Sequence, residues 1–378
     1  MRPEVAEALA RLGDLYANPS STHREGQRAR AAIELAREQV AALVHALPDE
    51  VVFTSGGTEG DHLAILGAAW ARSRRGTRIA ISTIEHHAVH GAVDVLAEQG
   101  WAVDPIPVTG DGRVDPAAVA LRTDTVLVSV MLANNETGVV QPVADVARRA
   151  RAAGALVHCD AVQAAGKVAV DFRALEVDYL VVSAHKLGGP KGAGALIVRQ
   201  GAPLAPLFRG SGHERGRRGG TENLTGIVGL GIAAERAARE LTDEGERLMA
   251  LRKRLETGIA AIDIDAVVHG AQAPRLPNTV NVSFPGARSD HMLIALDARG
   301  FAVSAGAACA SGAVEPSPVL SAMGVPSEVA TCAVRLSMGR TTTPDDVERL
   351  LVALREAVSV ARMVPTTGLE ILTHKATG

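Results

Sequence analysis

Five polar clusters in the first half of the chain each follow a short apolar run. Ser55-Gly56-Gly57-Thr58-Glu59 follows VVFT, and Glu85-His86-His87 follows RIAIST. Asn134-Asn135-Glu136 follows TVLVSV, Asp160 and Gln163 follow ALVHC, and His185-Lys186 follow YLVVS. Glycines between a strand and a helix allow close backbone approach, and a helix N-terminus offers free N–H groups to a phosphate. The same turn is also an ordinary strand–helix connection. No GK[ST] follows it, so it is not a P-loop. Asp160 at the end of an apolar strand needs a partner once buried. A protonated heterocyclic nitrogen, a helix cap or an ion pair would each serve.

Of the 39 Lys and Arg residues only five are Lys: Lys167, Lys186, Lys191, Lys253 and Lys375. A chain that favours Arg keeps Lys where a deprotonatable amine is needed, as in imine formation. Lys186, beside an apolar strand, is the candidate; a surface lysine at a strand end is the plainer alternative. His86, His87 and His90 invite a metal reading, but HHxxH lacks the glutamate of HExxH. Stacking on a ring or acid–base work suits His86 better, and no metal is expected. Cys309 sits in Gly306-Ala307-Ala308-Cys309-Ala310-Ser311-Gly312, small residues that suit an accessible thiol. An inert cysteine is the alternative there, and the expectation for Cys159 and Cys332. Residues 210–220 (GSGHERGRRGG) form a basic loop, and Arg335 in AVRLSMGR could clamp a carboxylate with two parallel hydrogen bonds.

The elements that must position these groups alternate. Apolar residues at 29, 32, 33, 36, 40, 43 and 44 mark an amphipathic helix over 27–44. Strands are expected at 51–54, 78–83, 125–130, 155–159 and 179–183, with helices following 54 and near 87–99. Strands alternating with helices imply a mostly parallel sheet covered on both faces, with ligands bound beyond the carboxyl ends of the strands. After about residue 245 the rhythm changes: Leu248, Leu251, Leu255, Ile259 and Ile262 mark a long helix, TVNVSF a strand, and Thr343-Pro344 a helix start. Two domains are expected, 1–245 and 246–378.

Composition bounds the rest. The chain has 378 residues, 47% hydrophobic and 21% charged, with a net charge of −3. It is long enough for two domains and too apolar for disorder. The charge balance gives no footprint for nucleic acid or an acidic membrane surface. No apolar run is long enough to span a membrane, and the N-terminus reads as an amphipathic helix, not a secretory signal. A cytoplasmic protein is expected. Three distant cysteines with no CxxC exclude a disulfide scaffold or Cys-rich zinc site.

Read together, FTSGGTE, EHHAV, NNETGVVQP, HCDAVQAAGK, SAHKLGGPKG, GHERGRRGGT, SAGAACASGAVEPS and VRLSMGR resemble the cysteine desulfurases of the NifS/IscS type, class V members of the fold-type I pyridoxal-phosphate (PLP) enzymes. The segments occur in family order. The resemblance implies an α/β fold: a large domain with a mostly parallel seven-stranded sheet, and a smaller α+β C-terminal domain carrying the cysteine loop. It implies that Lys186 holds PLP, Asp160 pairs with the pyridine nitrogen, Gln163 reaches the ring hydroxyl, and His86 stacks and moves protons. Gly57, Thr58, Ser183 and His185 would bind the phosphate, with Thr221 reaching in from the partner of a homodimer. Asn135 and Arg335 would hold the substrate carboxylate. Cys309 would be the nucleophile that takes sulfur from L-cysteine, leaving alanine, and passes it to an acceptor protein such as an iron–sulfur scaffold or a tRNA-thiolation protein. The long loop around Cys309 resembles the first of the two desulfurase groups.

Two departures accompany the resemblance. Relatives usually carry a strand and turn of the type YLDNAATTP upstream of RPEV, near the active-site entrance; this chain starts at Met1-Arg2-Pro3-Glu4. Gly60 stands where relatives usually carry Ser, so one phosphate-side hydroxyl is expected to be missing. Selenocysteine lyase, an aminotransferase or a non-catalytic desulfurase-like partner are the alternatives. Transamination needs no thiol at Cys309, and a non-catalytic partner would have no need of intact Lys186, Asp160 and His86.

Overall fold

A computed structural model describes residues 1–13, 15–305 and 315–364. In chain order the first part comprises α1 (Pro3–Arg11), α2 (Arg24–Leu43), β1 (Val51–Thr54), α3 (Gly57–Arg72), β2 (Arg78–Ser82), α4 (His87–Glu98) and β3 (Ala102–Ile106). It continues through β4 (Thr125–Ser129), α5 (Val143–Ala152), β5 (Leu156–Asp160), α6 (Phe172–Leu175), β6 (Tyr179–Ser183) and β7 (Gly194–Val198). The long α7 (Leu224–Ile262) leads to β8 (Val267–Val268), β9 (Thr279–Ser283), α8 (Ser289–Asp297), β10 (Ser304–Ala305), α9 (Pro318–Ala322), α10 (Ser327–Ala330), β11 (Ala333–Ser337) and α11 (Pro344–Met363).

Seven strands form one sheet in the order β1-β7-β6-β5-β4-β2-β3. Only β7 runs against its neighbours. Every residue of β4, β5 and β6 is buried, as a sheet covered on both faces requires. One face packs on α1, α2, α5 and the first half of α7 through Val5, Ile33, Val146 and Leu230. The other packs on α3 and α4 through Leu63, Ile65, Val89 and Val93. The second sheet, β10-β11-β9-β8, packs against α8, α11 and the second half of α7.

Helix α7 serves both cores. Ile227, Leu230, Ala233, Ala234 and Ala237 belong to the first; Leu248, Leu251, Leu255 and Ile259 belong to the second. The expected helix near 248 therefore begins at Leu224, and the expected division at 245 falls inside one unbroken helix. Two strands of the first sheet escape the sequence reading, as do β8, β10 and β11 of the second. In β3, Pro105 interrupts AVDPI, but β3 pairs only with β2 and lies at the sheet edge, where a missing N–H costs no ladder bond. In β7, GALIV follows β6 without an intervening long helix, so the alternating rhythm hides it.

Helix α3 approaches the sheet closely. A Cβ at Gly60 would lie 2.8 Å from Val181 Cγ1, on the central strand β6. The position therefore faces the sheet, and Gly60 does not line the cavity described below. The expectation of a lost phosphate-side hydroxyl is corrected: a side chain here would press on a stiff β-branched residue. Gly60→Ser is expected to lower stability by about 1–3 kcal/mol through overpacking, seen as a lower unfolding temperature with no gain in cofactor affinity. An unchanged melting curve with tighter PLP binding would contradict this.

Candidate active site

The carboxyl ends of β1, β2, β4, β5 and β6 converge on one cavity of about 200 Å³. From the β1–α3 turn come Gly57 and Thr58; from the loop before α4 comes His86; from the loop after β4 comes Asn135. Asp160 ends β5 and Gln163 follows it, while Ser183, His185 and Lys186 close β6. Arg335 enters from β11 of the second sheet. Ten of the expected site residues thus share one cavity. Thr221 does not: it lines a separate hollow with Thr54, Ser55 and Arg218. Cys309 lies outside the described residues.

Each side chain is held by local structure. Asp160 is 6% exposed, and among the described residues only the Val162 N–H donates to it, at 2.8 Å. Burial pushes its carboxyl up, opposed by that N–H and by Lys186. His86 caps α4, its Nδ1 accepting from Ala88 N–H at 3.1 Å, which leaves the proton of the neutral ring on Nε2. Burial, His87 and Lys186 lower its pKa, so it is neutral near pH 7. Burial and the Arg335 guanidinium lower the pKa of Lys186, against the pull of Asp160. Ser183 Oγ and His185 Nδ1 are 2.9 Å apart. Arg335 Nη1 donates to the Asn135 carbonyl at 3.0 Å, and its Nη2 to Ser304 Oγ at 3.2 Å.

The N-terminus of α3 forms one wall. Its N-cap Gly56 supplies no side-chain acceptor, and the first N–H closed within the helix is that of Gly60, to Gly56 O at 3.1 Å. The earlier N–H groups are free to meet an anion. A cavity that presents free N–H donors, an amine and a nearly buried carboxylate with a single donor fits a ligand bearing a phosphate, a carbonyl and a protonated nitrogen. Among the described residues no group of three His, Cys, Asp or Glu is arranged to hold a metal ion. No helix among them is long and apolar enough to cross a membrane.

The structure adds groups that the sequence reading passed over. Asp61 lines the cavity from α3 and is 1% exposed. Its signal is an acid one turn ahead of Ala64 and Ile65 on the buried stripe of that helix. His158 is fully buried and pairs with it. Lys167 is half-buried and donates to Gln163 O at 2.7 Å, and desolvation with Lys186 lowers its pKa to about 8. Glu85 is 5% exposed; Ser82 Oγ donates to it, and Met131 N–H donates to it at 2.7 Å.

Burial pushes the Glu85 pKa from 4.5 to about 8, with those two donors opposing. The folded pKa lies above the unfolded one, so this group's contribution is fully present below about pH 4.5 and is lost as pH rises through about 8. Glu85→Gln keeps the acceptor for Met131 without the charge. It is expected to raise the unfolding temperature at pH 9 by roughly 3 °C and to leave it unchanged at pH 4. A loss of stability at pH 9 would contradict the raised pKa of Glu85.

Comparison with known proteins agrees with this architecture. The aminotransferase class-V model matches residues 2–350. A cysteine desulfurase of Cereibacter sphaeroides is 47% identical, over 98% of this chain and 96% of that protein. The cysteine desulfurase IscS of Methanosarcina thermophila is 43% identical, over 99% of this chain and 93% of that protein. A solved NifS-like protein superposes with a TM-score of 0.89 at 36% identity, covering 95% of this chain and 96% of that one. With its seven-stranded sheet and the convergence of Lys186, Asp160, His86 and Arg335 on one cavity, the chain belongs to the class-V aminotransferase family, in its cysteine desulfurase branch.

Proposed function

We propose that the protein is a PLP-dependent cysteine desulfurase: it converts L-cysteine to L-alanine and moves the sulfur to Cys309 as a persulfide, for delivery to an acceptor protein. The observation that carries this reading is that Lys186 and Asp160 line the cavity that the α3 N-terminus walls. Three parts of PLP then have three matching groups. Lys186 would take the carbonyl, Asp160 the protonated ring nitrogen, and Gly57 and Thr58 the phosphate, with Ser183 and His185 beside it. Gln163 would reach the ring hydroxyl, and Thr221 would act from the second copy of a homodimer.

Bound PLP supplies an electron sink for the negative charge left when the substrate Cα loses its proton. The chain's own residues do the rest. Arg335, pre-oriented by the Asn135 carbonyl and Ser304 Oγ, offers its remaining N–H groups to the substrate carboxylate. Lys186 Nζ, its pKa lowered by burial and by Arg335, takes the Cα proton and returns protons to the product. His86, neutral with its proton on Nε2, exchanges protons with the substrate thiol. The Cys309 thiolate attacks the substrate sulfur as the carbon–sulfur bond breaks. L-Cysteine and a thiol become alanine and a persulfide, and no further reactant is needed.

The flanks of the Cys309 segment support its role. Ser304, before it, bonds to Arg335; Ser317, after it, donates through Oγ to Glu136 Oε2 at 2.5 Å, next to Asn135. One flank is therefore tied to Arg335, which the substrate carboxylate would meet, and the other to the residue next to Asn135.

Purified protein with PLP and a thiol reductant is expected to release alanine and sulfide in equal amounts from L-cysteine. Lys186→Ala should lose covalent cofactor attachment and lower turnover roughly 100-fold or more. A keto-acid product, or alanine only from selenocysteine, would overturn the assignment. The rate of PLP attachment to the apo-protein should rise with pH and level off below the lysine reference value of about 10.4, because burial and Arg335 favour the neutral amine. A midpoint at or above that value would contradict the role of Lys186.

A further inference from the structure

Three buried carboxyl groups lie within electrostatic reach of one another at the cavity: Asp160 from β5 and Asp61 from α3, which line it, and Glu85 from the loop before α4. All three are buried, and Lys186 is the cation beside Asp160. Like charges in so dry a place cannot all persist. Glu85 holds its own proton, as described above. The remaining question is which of the two aspartates is neutral.

Hydrogen bonding answers it. Residues 156, 158 and 160 alternate onto one face of β5, so His158 and Asp160 both face α3. Asp61 Oδ1 lies 3.3 Å from His158 Nε2, and neither atom has another partner among the described residues. On the far side of the ring, Ser129 Oγ lies 2.8 Å from His158 Nδ1. Asp160 accepts an N–H from Val162, which favours its ionised form. Among the described residues no N–H donates to the Asp61 carboxyl. We propose that Asp61 is a neutral carboxylic acid that donates its proton to His158 Nε2, with His158 Nδ1–H donating to Ser129 Oγ, and that it is thereby a positioning residue which leaves the negative charge on Asp160. Burial first, then Asp160 and Glu85, hold the Asp61 carboxyl well above its usual range. Burial alone lowers His158 to about 3, so the ring stays neutral and accepts the hydrogen bond without taking the proton. The consequence is a cavity floor with one anionic carboxylate aimed at a cationic ring nitrogen. The proposal rests on the assignment of Asp160 to that nitrogen.

Two measurements test it. Nitrogen-15 NMR of histidine-labelled apo-protein near pH 7.5, with His158→Gln to assign the signal, is expected to show His158 protonated on Nδ1 and bare on Nε2. A proton on Nε2, in either the neutral or the doubly protonated ring, would overturn the proposal. The second is PLP affinity of the apo-protein, followed by cofactor absorbance. Asp61→Asn keeps a neutral donor toward His158 and should bind PLP within about twofold of the parent, with the same pH dependence. Asp61→Ala leaves His158 Nε2 unpaired beside the cavity and should weaken PLP roughly tenfold. Equal weakening in both variants would mean that the charge of Asp61 matters, and unchanged binding in Asp61→Ala would remove its positioning role; either sinks the idea. If Asp61→Ala does not fold, the tautomer and the Asn comparison still decide. If the parent protein itself fails to bind PLP, the cofactor assignment falls, while the apo-protein NMR still tests the proton on Asp61.

Discussion

A carboxylate buried at the end of a central strand must be compensated, and the site is organised around that demand at Asp160. The residue ends β5, with strands on both sides and helices on both faces, and receives one backbone donor. Lys186 from the neighbouring strand lies within electrostatic reach, and a protonated ring nitrogen answers the same need from the ligand side. The placement of a strand end, two loops and a helix start follows from the need to bring such partners to one point.

The second constraint is that charge must not accumulate there. Glu85 and Asp61 bring two further acids into the same dry region, and burial with the neighbouring carboxylates pushes both toward the neutral form, against the Ser82 and Met131 donors in the case of Glu85. The cost of burying them is met by hydrogen bonds to Ser82, Met131 and the His158–Ser129 pair. The cationic side is balanced in the same way. Burial and Arg335 lower the pKa of Lys186, which favours its neutral amine. The second sheet takes part through β11, which carries Arg335 across to the first.

Much of this was legible in the sequence. VVFT, RIAIS, TVLVS and YLVVS are strands because their residues are β-branched or apolar and are buried on both sides, and the polar residues after them converge because parallel strands end on one edge. The edge strand β3 was not legible, since Pro105 is tolerated there only because β3 has one neighbour. Helix α7 was read in its second half alone; Gly226, Gly229 and Gly231 in its first half are packing contacts, with a Cβ at Gly231 falling 2.6 Å from Ala36 Cα. Asp61 and His158 were invisible as a pair because their contact joins α3 to β5 across 97 positions, and spacing along a chain carries no trace of it. The Gly60 expectation failed for a related reason: its neighbour is Val181, not the ligand.

The most direct test of the desulfurase reading follows the sulfur atom itself. PLP-loaded protein would be given one equivalent of L-cysteine without reductant, alkylated, digested and analysed by mass spectrometry. The expected result is one alanine released per protomer and one additional sulfur on the Cys309 peptide. Cys159 and Cys332, both buried, should carry none. Alanine formed with no sulfur on Cys309, or sulfur found on either of the other two cysteines, would contradict the account.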